Sequence, residues 1–321
     1  MRTFPITRWV GIDEAGYGPN MGPLVMSAVT AQGPSGAPDP DLWQDLVLCV
    51  DRAGGARDRL WIDDSKRVTQ GKDGIQRLVA VTLALAKTLH PELAGQQKLS
   101  RDELLAALGA GSTADGEWDL WQIQPEDTTL ANWDVVPILK PSTAFWELIA
   151  THVQVVGPRA FNAGLIQHQN KATVHFEAFG KLLKGVWESA AGCTVRVNSD
   201  KHGGRHFYHA ALMDLFPGLW IERGEEGPEM SRYAIHAEDR NLILQLAPRS
   251  DASDGLVALA SIVSKCLREI WMKDFNRFWI NQFPKLKPTA GYPVDARRFR
   301  QSIEGECNAL RLPREFWWRS K

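Results

Sequence analysis

Residues 11–18 read Gly-Ile-Asp-Glu-Ala-Gly-Tyr-Gly, directly after the apolar pair Trp9-Val10. Two adjacent carboxylates, Asp13 and Glu14, therefore end an apolar run and lead into a turn with glycine at Gly16 and Gly18. A strand followed by such a turn holds Asp13 at a sheet edge, and the glycines let backbone approach a ligand closely. Adjacent acids in a mostly apolar setting are costly unless a cation offsets them, so a metal is expected. Two further acids occupy comparable places. Cys193–Val197 alternates like a half-buried strand and delivers Asp200 at its end. Leu242–Leu246 reads as another strand, delivering Asp251 across Pro248. Carboxylates from distant parts of a chain suit Mg²⁺ or Mn²⁺, hard cations that take oxygen ligands. Two such ions roughly 4 Å apart can drive phosphodiester hydrolysis without a histidine or cysteine nucleophile. The alternative for each acid is a surface salt bridge or a helix cap. Asp254, close to Asp251, competes with it for the role.

The 11–18 segment resembles the Gly-Ile-Asp-Glu-Ala-Gly-Arg-Gly signature of type 2 ribonucleases H, the ribonuclease HII family. Tyr17 stands where that family carries arginine. Asp64-Ser65-Lys66, after Leu60-Trp61-Ile62, resembles the family's Asp-Ser-Lys block. Asp200 falls where its third acid sits, although the family's Asp-Gly is here followed by Lys201-His202-Gly203-Gly204-Arg205. Ala258-Leu259-Ala260-Ser261-Ile262-Val263-Ser264-Lys265, preceded by Asp251, resembles its fourth block, and Gly291-Tyr292-Pro293 its late Gly-Tyr element.

The resemblance implies a metal-dependent endoribonuclease with Asp13, Glu14, Asp200 and Asp251 as catalytic metal ligands. Asp13 would bridge two Mg²⁺ or Mn²⁺ ions, Glu14 and Asp200 would complete one site, and Asp251 the other. Ser65, Lys66 and Lys265 would position phosphate, the Gly16-Tyr17-Gly18 turn would sense a 2′-hydroxyl, and Tyr292 would pack on the neighbouring sugar. The implied substrate is RNA in RNA–DNA hybrids or ribonucleotides embedded in duplex DNA, cut to leave 5′-phosphate and 3′-hydroxyl. Tyr17 lacks arginine's charge and bidentate donors, so a different nucleic-acid substrate is one alternative. A non-catalytic nucleic-acid-binding relative is another. The Lys201–Arg205 loop reads either as a phosphate-holding loop compensating for Tyr17 or as a plain turn. His202, His206 and His209 are taken as structural or surface residues, not a zinc site.

The elements that must position these groups follow from periodicity. Residues 8–31 read as two strands in hairpin relation, 41–50 and 72–90 as helical, and Gly255 to about Phe278 as a long helix. In that helix Leu256, Leu259, Val263, Cys266, Leu267 and Ile270 form the apolar stripe, with Lys265, Arg268 and Lys273 off it. Ser253 or Asp254 would cap it. Strands alternating with helices fit the α/β, ribonuclease H-like mixed sheet flanked by helices that the resemblance implies. Residues 1–260 are expected to form the catalytic core, with an insertion at about 91–155, and 261–321 a basic helical region packed on it. The insertion holds Trp118, Trp121, Trp133 and Trp146, expected to pack internally rather than stack on bases.

The chain has 321 residues, 44% hydrophobic and 23% charged, with net charge −1, which is not the footprint of a strongly basic nucleic-acid binder. From Ser261 to Lys321, however, 13 Lys+Arg face 6 Asp+Glu, which suits either a phosphate-gripping face or a solvated helical surface. No apolar run has a membrane span's length and no signal peptide is evident, so a cytoplasmic monomer is expected. Four scattered cysteines without a C-x-x-C pair favour reduced thiols.

Overall fold

The computed structural model describes residues 4–56, 58–96, 99–110, 118–121, 137–141 and 145–320. In chain order these form β1 (Ile6–Ala15), β2 (Leu24–Pro34), α1 (Leu42–Asp45), β3 (Val50–Asp51), β4 (Leu60–Trp61), α2 (Ser65–Val68), α3 (Gly74–Leu89) and α4 (Arg101–Ala107). There follow β5 (Glu147–Val156), α5 (Pro158–His168), α6 (Lys171–Glu188), β6 (Cys193–Asp200), α7 (His209–Leu215), β7 (Trp220–Glu226), β8 (Ser231–His236) and β9 (Asn241–Ala247). The last helices are α8 (Gly255–Gln282) and α9 (Pro293–Ala309). No described helix is long and apolar enough to cross a membrane.

Among the described residues the main sheet has seven strands in the order β5-β2-β1-β6-β9-β8-β7. β1, β6 and β9 run parallel, and every other neighbouring pair is antiparallel. Register pairs Ile12 with Ser199 and Asp200 with Ala247, so the three parallel strands end at one edge of the sheet. Alternation divides each strand between two apolar layers. Trp9, Val25 and Val29 pack with α3 and α8, whereas Val10, Ile12, Met26 and Ala28 pack with α6. This is the mixed α/β sheet flanked by helices that the strand and helix signals predict.

α8 begins where expected and continues to Gln282. The Asp254 carboxylate caps it, accepting from the Leu256 and Val257 amides at 2.8 and 3.1 Å. All six residues of the expected stripe are buried, but Arg268 is buried too, at 3% exposure. The flank that periodicity assigns to solvent is covered by the glycine turn and the 290 loop, whose carbonyls the Arg268 guanidinium meets. The helix expected over 41–50 shrinks to the single turn α1. Asp51 then folds the chain back by accepting from the amides of Ala53, Gly55 and Ala56, and β3 pairs with β4.

Of the insertion expected at about 91–155, residues 91–96, 99–110, 118–121, 137–141 and 145–155 are described. Trp118 and Trp121 lie against the second half of α8, where Trp118 Nε1 donates to Asp274 at 3.0 Å and the Trp121 ring meets Phe275 at 4.8 Å. Trp146 is also buried, and its Nε1 donates to Asp45 at 2.6 Å. All three are packing residues; Trp133 lies outside the described residues. The end of the segment is β5, the strand bordering β2, so that part belongs to the sheet itself. The 260/261 boundary likewise falls inside α8, which packs across β1 and β2.

β1 and α8 touch backbone to backbone at Gly11, where a Cβ would collide with Leu256 and Val257. Gly11→Ala should therefore destabilise the fold by about 3 kcal/mol in urea unfolding, since helix and strand must separate to admit a methyl. Gly18→Ala, which meets nothing within 4 Å, is the control expected to leave stability unchanged.

Candidate metal and nucleic-acid site

The parallel strands set the site. Asp13 lies near the end of β1, with its backbone carbonyl accepting from Ser264 Oγ at 3.0 Å and its carboxyl in hydrogen-bonding contact with Ser261. Asp200 ends the adjacent β6, its Oδ1 accepting from the Ser250 amide at 3.3 Å. Asp251 follows β9 in a 3₁₀ turn, Ser250–Ala252, and is 8% exposed. Glu14 places Oε1 3.5 Å from His175 Nε2 on α6. The rival Asp254 is committed elsewhere, since it caps α8 and accepts from Asn198 Nδ2 at 2.7 Å.

These acids sense one another. Burial raises the Asp13 carboxyl well above its ordinary value, with Glu14 and then Asp200 adding to the effect against the Ser261 hydrogen bond. Asp200 is raised by burial and by Glu14, opposed by backbone amides that include Ser250. Asp251 is pushed up to about 6 by burial, then by Asp64 and Asp200, with Lys66 acting against them. Among the described residues no three acids, imidazoles or thiols form a ready-made metal cage. The donor chemistry nevertheless fits a hard divalent cation, because it consists of carboxylate oxygens that repel one another.

Ser65 and Lys66 open α2, capped by Asp64, which accepts from the Lys66 amide at 2.8 Å. Ser65 joins the acids through Ser261, the two hydroxyls being 3.0 Å apart. Lys265 donates to Thr69 at 3.1 Å and lies near Lys66 and Asp64. On the other side, Gly16 has φ +92°, and a Cβ there would strike the Pro23 carbonyl and come within 2.9 Å of Arg268. Tyr17 lies edge-on to His175 with ring centroids 4.7 Å apart, and the Lys171 ammonium sits 4.3 Å from its ring centre. Gly18 is exposed. Tyr292 is 55% exposed and follows Gly291, whose carbonyl accepts from the Asn20 and Met21 amides.

The Lys201–Arg205 loop divides. Lys201 turns into the β7–β8 region, donating to Gly227 O at 2.6 Å and Ser231 Oγ at 2.8 Å. Arg205 lies over the Phe176 and Tyr208 rings. His202 is buried against Phe179, His175 and Tyr208, and burial holds it well below the usual histidine range, hence neutral. Residues that sequence reading missed include His175 and Ser27, whose hydroxyl lies 2.8 Å from that of Ser264. His175 carries no local signal.

The chain matches no protein-family model and no curated protein. Among solved structures, it is similar to a chain of the PCNA:RNase HII complex from Archaeoglobus fulgidus, with 15% identity over 98% of this chain and 94% of that one, at TM-score 0.39. The chain is similar to type 2 ribonucleases H. The ribonuclease H2 from Pyrococcus horikoshii OT3 shows 15% identity over 97% of this chain and 92% of that one, at TM-score 0.40. The RNase H3 of Aquifex aeolicus shows 13% identity over 97% of this chain but 70% of its own length, at TM-score 0.40.

Asp251 generates a stability prediction. Its folded value of about 6 lies above the ordinary carboxylate range. Its contribution to folding is full below about pH 4 and is lost as pH rises through about 6. In chelator, Asp251→Asn should therefore be more stable than the parent at pH 8 by about 1–2 kcal/mol, a gain that fades towards pH 4. Urea unfolding at pH 4, 6 and 8 measures it, and equal stability at pH 8 would contradict the electrostatic account.

Proposed function

We propose that this protein is a metal-dependent endonuclease of the type 2 ribonuclease H kind, cutting RNA in RNA–DNA hybrids or ribonucleotides embedded in duplex DNA and leaving 5′-phosphate and 3′-hydroxyl ends. The observation that carries this reading is the delivery of Asp13, Asp200 and Asp251 to one sheet edge by three parallel strands, beside the glycine turn. Asp13, Glu14, Asp200 and Asp251 would hold Mg²⁺ or Mn²⁺. When bound, such ions activate water on one side of a phosphodiester and stabilise the leaving oxygen on the other.

The remaining work falls to this chain's own groups. Lys66, beside Asp251, supplies a point charge for a phosphate oxygen, and Ser65 offers a hydroxyl donor. Lys265, half-buried on Thr69, adds positive potential without leaving the helix. The amides of the Gly16–Gly18 turn supply donors for a 2′-hydroxyl, the group that distinguishes RNA from DNA. Tyr292 offers an exposed ring against which a sugar can pack. At Tyr17 the arginine of the resembling signature is absent, and the Lys171 ammonium over the ring keeps a cation nearby. All four cysteines are free thiols, in keeping with a place in the reducing cytoplasm.

The test uses labelled duplexes carrying one ribonucleotide, a run of four, or none, with Mg²⁺ or Mn²⁺ and with excess chelator. Cleavage is expected only at ribonucleotides and only with metal. Asp13→Asn keeps the shape but not the charge and should reduce the rate about a thousandfold or more. Cleavage in chelator, or equal cleavage of all-DNA duplex, would overturn the proposal. Tyr17→Arg should raise cleavage at single ribonucleotides relative to the four-ribonucleotide run, and an unchanged ratio would make the Tyr17 departure neutral.

A further inference from the structure

The last described residues return to the glycine turn. Arg319 is 1% exposed and lies beneath residues 17–20. Its Nη2 donates to the carbonyls of Tyr17 at 3.0 Å and Pro19 at 2.7 Å. Its backbone amide donates to Asn20 O at 2.7 Å, and Asn20 Nδ2 donates back to Arg319 O at 3.3 Å. The guanidinium stacks 4.3 Å from the centre of the Phe161 ring. Asn162 ties the same segment down, donating to Trp318 O and accepting from the Ser320 amide, both at 2.8 Å. Arg319 Nε and Nη1 have no hydrogen-bond partner among the described residues. A buried guanidinium without a carboxylate partner is costly, so its position calls for an explanation beyond stability.

Peptide planarity supplies one. In a trans peptide the C=O and the following N–H point in opposite directions, and the described chain contains no cis bond. With the Tyr17 carbonyl drawn towards Arg319, the Gly18 N–H must project away from the buried guanidinium. At the next clamped peptide, the Pro19 carbonyl meets Arg319 while the Asn20 N–H is used by Gly291 O at 2.8 Å. A guanidinium on the carbonyl also polarises the peptide, which strengthens its N–H as a donor. Arg268 acts in parallel on the far side of the turn, donating to Met21 O at 3.4 Å and Ala290 O at 2.8 Å.

We propose that Arg319 is a positioning residue for ribose recognition: by fixing and polarising the Tyr17–Gly18 peptide from beneath, it aims the Gly18 N–H at the 2′-hydroxyl of a bound ribonucleotide. This rests on the ribonucleotide-directed reading of the site, but its test does not need turnover.

Binding to a labelled duplex with one ribonucleotide, and to the same duplex in all-DNA form, is measured by fluorescence anisotropy in chelator. The parent should prefer the ribonucleotide duplex. Arg319→Met keeps an apolar stem against Phe161 but has no donors, and should lower that preference roughly tenfold, or abolish it if smaller, with all-DNA affinity unchanged. Arg319→Lys keeps the charge with one nitrogen for two carbonyls, and should retain part of the preference. Thermal melting identifies any variant that fails to fold, and the milder lysine variant then carries the test. An unchanged preference in the folded variants, an equal loss on both duplexes, or a parent without preference overturns the inference. A parent that prefers ribonucleotides but never cleaves them would instead remove the nuclease reading and leave the role of Arg319 standing.

Discussion

Hydrogen-bond register forces together groups that electrostatics would keep apart. β6 between β1 and β9, all parallel, obliges their carboxyl ends to share one edge. Asp13, Asp200 and the following Asp251 are placed there by backbone ladders that are indifferent to side-chain charge. The surroundings answer mainly with neutral dipoles: Ser261 on Asp13, and the Ser250 amide on Asp200. Lys66, near Asp251, is the cation that offsets it. Hydroxyls and amides soften a negative potential without cancelling it, so the edge keeps its negative character. The β1–α8 contact at Gly11 and the Ser264 bond to Asp13 O anchor the arrangement from behind.

The same potential explains what could be read in advance. Strand ends were legible because Cys193–Val197 alternates and because β1 is apolar up to its acids. The choice between Asp251 and Asp254 was not, since both precede the same helix. In the folded chain Asn198 and the first amides of α8 occupy Asp254. Arg268 misled because a single helical period separates only one stripe from the rest, and cannot show that a loop covers a second flank. The extent of α1 failed too: the helix stops at Asp45, and Asp51 then folds the chain back on three later amides. His175 and Arg319 reach the site from distant segments, and such contacts leave no mark on local pattern.

Charge in the last third of the chain also changes meaning once folded. Its 13 basic residues against 6 acidic ones look like a surface made for phosphates. Arg268 and Arg319 are buried beneath the turn, and Arg298 and Arg300 engage Asp295 and Glu304 at 2.7 Å. Two of the 13 are thus internal and two are paired with acids, while Lys273, Lys285, Lys287, Arg297, Arg311 and Arg314 stay exposed.

The bonds between Asn20 and Arg319 join positions 299 residues apart. A chain made from its N-terminus exposes the turn early, yet Arg319 leaves the ribosome long after the acids and the sheet. A contact of such separation can form only after the residues between have been made. During translation, then, the acid-bearing strands can assemble while the turn beside them still lacks its anchor. The architecture withholds the finished turn until residue 319 has been made: a ribosome-bound fragment with every acid in place would still lack the clamp.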